Sequence, residues 1–168
     1  MKTKVFLMFC VILVAGCTNQ TPKPLTDEEK AAIIKEVTDA AKVAIDALNN
    51  IDFPTFKSGF LDSPDFLRVS IDGSILNFEQ AMSEEKGFFE SASNIHAVIL
   101  NEVDKILEKD LVVSTLLLNT NMTLKTGEKL TFEKLEVTNI CRKIDNQWKS
   151  VFYQESGLPP TVSQPEKK

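Results

Sequence analysis

The sequence predicts an α+β domain. Apolar residues recur at helical spacing as far as Phe89, and from Ser93 onward the chain reads as long strands broken by turn signals. Helices first and antiparallel strands after them is an order in which the helices cover a sheet. A hydrophobic content of 43% against 26% charged residues supplies such a domain with a core.

The domain is preceded by a targeting segment. Met1-Lys2-Thr3-Lys4 is basic, and Val5 to Ala15 is an apolar run well short of the roughly 20 residues a membrane span needs. It ends in Leu13-Val14-Ala15-Gly16-Cys17, which resembles the bacterial lipobox. The reading is a lipoprotein signal peptide over 1–16, with Cys17 as the lipidation site because the thioether forms on its sulfur. Stable attachment takes two or more acyl chains. Residues 17–25 carry Pro22 and Pro24 and no apolar period, as expected of a tether. The domain is expected over 26–160 and a polar tail over 161–168.

Thr26-Asp27-Glu28-Glu29 is a capping box, and Ile34, Val37, Ala41, Ala44 and Leu48 behind it make one apolar face of a long helix. Asn49-Asn50 ends that helix. Asp52 caps a short second one, with Pro54 in its first turn and Phe56 and Phe60 on its inner side. Phe66 to Ile71 is a short strand closed by the hairpin signal Asp72-Gly73. A third helix starts near Asn77, with Phe78, Met82 and Phe89 at helical spacing. Asn94–Ile106 and Leu111–Leu124 are apolar on both parities in places, which predicts central strands covered on both faces. Thr126-Gly127 and Asp145-Asn146 mark two further hairpins, giving strands at Lys129–Lys143 and Trp148–Gln154. Gly157-Leu158-Pro159-Pro160 stops the last strand.

This order, and the final hairpin from Val137 through Trp148-Lys149-Ser150-Val151-Phe152-Tyr153-Gln154-Glu155-Ser156-Gly157, resemble the nuclear transport factor 2-like superfamily, also called SnoaL-like or ketosteroid-isomerase-like. Many members end in a strand, a polar turn, Trp and an alternating His-aromatic-His. The association domain of calcium/calmodulin-dependent kinase ends in the same style. The resemblance covers about Glu28 to Pro160. It implies a cystatin-like cone, with N-terminal helices packed on a curved antiparallel sheet and an apolar pocket at the open end. Phe56, Phe60, Phe66, Phe78, Phe89 and Tyr153 are then the candidate pocket residues. The chain departs from the pattern at Phe152 and Gln154, which stand in place of the two histidines, and at Glu155, where a basic residue is common.

Catalytic and metal constellations are not legible. His96 is the only histidine and sits in a strand with no partner placed beside it; with one thiol left in the domain it cannot build the usual zinc ligand sets. Asp62 and Asp65 read as turn formers, Asp72 as half of a hairpin, and Asp104 as a strand-end acid. Cys141 reads as a small core residue. No glycine-rich phosphate loop is present, and no cofactor is expected. Removal of Lys2 and Lys4 with the signal takes the formal charge from −5 to −7, which excludes a basic nucleic-acid surface.

The function expected is that of a lipid-anchored cell-envelope lipoprotein, on the outer membrane if the host is diderm, whose non-catalytic domain binds a small apolar ligand or a partner such as a second copy. Two alternatives stand beside it: an isomerase- or dehydratase-type enzyme on a hydrophobic carbonyl compound, and an assembly module. A buried carboxylate facing Tyr153 would favour the enzyme, and a cone lined only by aromatics would favour binding.

Overall fold

The computed structural model describes residues 23–164; the signal peptide, Cys17 and the last four residues lie outside the described residues. Helix α1 spans Asp27–Asn49 and opens on the predicted capping box, Thr26 and Glu29 exchanging hydrogen bonds of 2.8 and 3.2 Å. Its fully buried residues are Ile33, Val37 and Ala47, whereas Ile34, assigned to the inner face, is only half-buried. The Ile51 N–H donates to Leu48 O and the Asp52 N–H to Ala47 O, a Schellman ending with Ile51 at φ 54°. Isoleucine is a costly residue for that conformation, and it is held there by packing among the core aromatics.

Helix α2 (Phe53–Ser58) is capped by Asp52 and helix α3 (Phe78–Ser91) by Asn77, each through its side-chain oxygen. Strands β1 (Leu67–Val69) and β2 (Ile75–Leu76) form a small hairpin, with Gly73 taking φ 86° in its turn. The long strands are β3 (Ala92–Glu108), β4 (Leu111–Leu124), β5 (Lys129–Ile144) and β6 (Gln147–Ser156). A short strand β7 (Thr161–Ser163) pairs with the first residues of β5, so the beginning of the predicted polar tail belongs to the sheet. Backbone pairing decides this, because all three residues remain exposed.

The sheet runs β2-β1-β6-β5-β4-β3. It is mixed rather than wholly antiparallel, because β1 lies parallel to β6. The chain separating them, which includes α3 and four strands, is long enough to allow that pairing. Register shifts at Leu118/Thr120 in β4 and at Ile140/Cys141 in β5 bend the sheet around the helices. At the first of these Lys134 adopts φ 54° and its N–H donates to Asn119 Oδ1 at 2.9 Å.

Strand β3 lies at the sheet edge and is not covered on both faces as predicted; Val98, Leu100, Val103 and Leu107 are exposed. Asn49 at the end of α1 covers part of that edge, donating to Ala97 O at 3.1 Å and accepting from Ala97 N at 2.6 Å.

The core has two main parts. Phe56, Phe60, Phe66, Phe78 and Phe89 interlock at one end, with ring centroids 5.1–5.9 Å apart in successive pairs. Toward the start of α1, Trp148 packs with Ile33, Val37 and Val112 and donates Nε1–H to Glu36 Oε2 at 2.9 Å. Leu25, assigned to the tether, packs against this second cluster, so the domain begins at least one residue earlier than the composition indicated.

Candidate functional site

The parallel pairing of β1 with β6 sets Arg68 beside Tyr153. Strand alternation turns Phe66, Arg68 and Ser70 to one side of β1, and all three are buried. On β6 the same alternation turns Tyr153 and Glu155 to that side, with Phe152 and Gln154 on the opposite parity. Helix α3 completes the group with Glu85, which lies three residues after Met82 and four before Phe89 on the buried face.

These residues form one charged network. Arg68 Nη2 donates to Glu155 Oε2 at 2.9 Å, and the Tyr153 hydroxyl donates to Glu155 Oε1 at 3.0 Å. Arg68 Nη1 stands 2.7 Å from Glu85 Oε1 and 3.8 Å from Glu84 Oε2. The nearer contact is an ion pair without hydrogen-bond alignment, and Arg68 Nε and Ser70 Oγ also find no partner among the described residues. The guanidinium lies 5.6 Å from the Tyr153 ring centre.

Burial sets the electrostatics. It pushes the Glu85 carboxyl up to about 7; Arg68 opposes the rise, while Glu155 and Glu84 add to it. Burial also raises the Tyr153 hydroxyl well above its ordinary range, reinforced by Glu155 and Glu85, so it remains a proton donor. For Arg68 burial works in the lowering direction, but Glu85 and Glu155 outweigh it and the guanidinium stays charged.

The network forms one wall of a cavity of about 290 Å³. The remaining lining comprises Leu48 of α1, Phe56 of α2, Phe88 and Glu84 of α3, Ile71 after β1, and Leu118, Thr120, Phe132 and Leu135 of the sheet. Leu118 and Thr120 flank the β4 register shift, with Phe132 and Leu135 on either side of Lys134. The bulge that curves the sheet therefore also shapes the cavity.

Of the predicted pocket residues, Phe56 and Tyr153 line this cavity. Phe60 lines a smaller adjoining space of about 100 Å³ beneath α1, together with Ser114, Asn139 and Cys141. Phe66, Phe78 and Phe89 pack into the core beside it. His96, Asp62, Asp65 and Asp72 are exposed and do not line the cavity, although Asp72 follows Ile71 and feels the Arg68 charge. Asp104 lies on the inner side of β3 near Glu102 and Ser114; burial raises both carboxyls, Glu102 also feeling Asp104. Cys141 is pushed to about 12, first by burial and then by these two acids, which makes it a poor nucleophile.

Arg68 and Glu85 were not singled out from the sequence, and Glu155 was noted only as standing where a basic residue is common. Signals for the first two were present: Arg68 alternates with Phe66, and Glu85 interrupts an apolar helix face. The parallel strand pairing that unites them carries no local signature.

No protein-family model and no curated protein matches the sequence. Solved structures do match its fold. A candidate scytalone dehydratase from Novosphingobium aromaticivorans superposes with a TM-score of 0.71 at 8% identity, over 84% of this chain and 94% of that one. A nuclear transport factor 2-like superfamily protein from Salmonella enterica gives 0.68 at 15% identity, over 82% and 94%. The association domain of calcium/calmodulin-dependent kinase II from C. elegans gives 0.61 at 18% identity, over 78% and 99%.

Proposed function

On a nuclear transport factor 2-like fold, we propose, this chain is a cell-envelope lipoprotein whose domain holds a small, largely apolar ligand in the cavity beside Arg68 and Tyr153. The observation that carries this reading is the cavity itself: about 290 Å³, apolar over most of its wall, with its polar groups gathered on one side. That combination is characteristic of small-molecule sites. Anchoring rests on the lipobox ending at Cys17, since no helix among the described residues is long and apolar enough to cross a membrane. With Thr18 after the cysteine, an outer-membrane location is the reading for a diderm host.

An isomerase- or dehydratase-type reaction is the second reading. A buried carboxylate does face Tyr153, and Glu85 is held near neutrality, where a general acid or base works best. Binding is favoured because Tyr153 and Glu155 are engaged with each other and with Arg68. The Tyr153 hydrogen is already given to Glu155, and both Glu155 oxygens are engaged, so only Glu84 and Glu85 are left to meet a substrate. Pairing with a second copy is supported separately by the exposed apolar residues of β3.

Thermal unfolding with a panel of small apolar compounds tests the binding reading. A ligand present at about 100 times its Kd stabilises a folded protein by about 2.7 kcal/mol. At least one compound should stabilise wild type and fail on Leu135→Trp, which fills the cavity. If every compound that stabilises does so equally in both proteins, the cavity is not the site.

A further inference from the structure

Resting on the reading of the cavity as a ligand site, we infer that its occupant carries a protonated amine on a small apolar body, with the ammonium directed at Glu84 and Glu85. The lining holds three carboxylates, Glu84, Glu85 and Glu155, against a single guanidinium. Glu155 is matched to Arg68 by the 2.9 Å hydrogen bond and stays within that pair. Glu84 and Glu85 are sequence neighbours that share what remains of one Arg68 nitrogen, so negative charge at this wall exceeds positive charge.

Nearby lysines do not correct the imbalance. Lys57 lies over the Phe78 ring, and Lys86 pairs with Glu90 at 3.6 Å. Glu85 has a side chain only 10% exposed, and its one close partner is the misaligned Arg68 contact. Above about pH 7, where Glu85 gives up its proton, a buried carboxylate left this poorly matched favours an incoming cation. An ammonium brings three donors and a positive charge, and Phe56, Phe88 and Phe132 give it aromatic company.

The opposite choice, an anionic ligand aimed at Arg68, fails on access. Arg68 Nε and Nη1 are buried inside the wall, and Nη1 already faces Glu85 at 2.7 Å and Glu84 at 3.8 Å. Above about pH 7, where Glu85 is ionised, a neutral ligand would fill the space and leave that charge uncorrected. Sign, access and wall chemistry therefore agree on a cation.

The test is calorimetric titration of the detergent-solubilised full chain with three probes of similar size: 2-phenylethylamine, 2-phenylethanol and phenylacetate. At pH 8 the amine should bind at least tenfold more tightly than the alcohol, and phenylacetate more weakly than either. Glu84→Gln, whose side chain is 55% exposed and safe to change, should cut the preference for the amine several-fold; Glu85→Gln should cut it further. If alcohol and amine bind alike, or if Glu84→Gln and Glu85→Gln both leave the preference intact, the inference is overturned while the cavity still stands as a binding site. If none of the three probes binds, the binding reading itself fails and takes the inference with it.

Discussion

Glu85 on α3 and Arg68 on β1 meet at 2.7 Å, yet the contact does not hold the carboxylate in its charged form. Burial dominates, and the folded protein keeps a proton on Glu85 up to about pH 7 against an ordinary value of 4.5. The folded state thus binds more protons than the unfolded state between those values. Stability associated with neutral Glu85 is full below about 4.5, falls as pH rises, and is gone above about 7. The loss is on the order of 3 kcal/mol. Chemical denaturation from pH 5 to pH 8 should show wild type losing stability relative to Glu85→Gln, with the variant the more stable at pH 8. Parallel curves for the two proteins would mean that Glu85 is not buried against the network.

Trp148→Ala and Tyr153→Phe separate the two ends of the core. Trp148 is 9% exposed and packs on Ile33, Val37 and Val112, so its truncation should cost about 3–5 kcal/mol. Tyr153→Phe keeps the ring but leaves Glu155 Oε1 without its donor, a loss of about 1–3 kcal/mol. Denaturant midpoints measure both. A Tyr153→Phe protein as stable as wild type would place that hydroxyl in solvent and dissolve the network.

Much of this fold was legible in the sequence because the signals are local. The capping box at Thr26, the helix start near Asn77, the turns at Asp72-Gly73 and Asp145-Asn146, and the apolar face of α1 depend on neighbours within a few residues. What could not be read depends on pairing across the chain. Val98 and Leu100 suggested a covered strand, but only the strand order shows that β3 ends the sheet. Leu25 sits among prolines and polar residues, and its packing on the Trp148 cluster is a tertiary fact. The site followed the same rule: Tyr153 was visible as the lone phenol, while Arg68 and Glu85 acquired meaning only once β1 lay beside β6 and beneath α3.

Cys17→Ser tests the anchor. Serine offers no thioether, so the variant should remain an uncut precursor without acyl chains. Mass spectrometry of the detergent phase would measure this; a serine variant that matures and partitions like wild type excludes the lipoprotein reading.

The uncovered side of β3 gives a further expectation. Val103 is 60% exposed and Leu107 49%, on the same parity of an edge strand. If this surface joins two copies, Val103→Glu combined with Leu107→Glu should convert a dimer to a monomer in analytical ultracentrifugation without changing the circular dichroism spectrum. A wild type that sediments as a monomer at the highest concentrations tested would remove the dimer from the account.

A small molecule held in the cavity should travel with the purified protein, where it can be identified. Wild type and Leu135→Trp would be prepared alike from the native host, extracted, and compared by mass spectrometry. A small, largely apolar compound should be retained in proportion to wild-type protein and depleted from the cavity-filled variant. A compound recovered equally from both, or none from either, would contradict binding in the cavity.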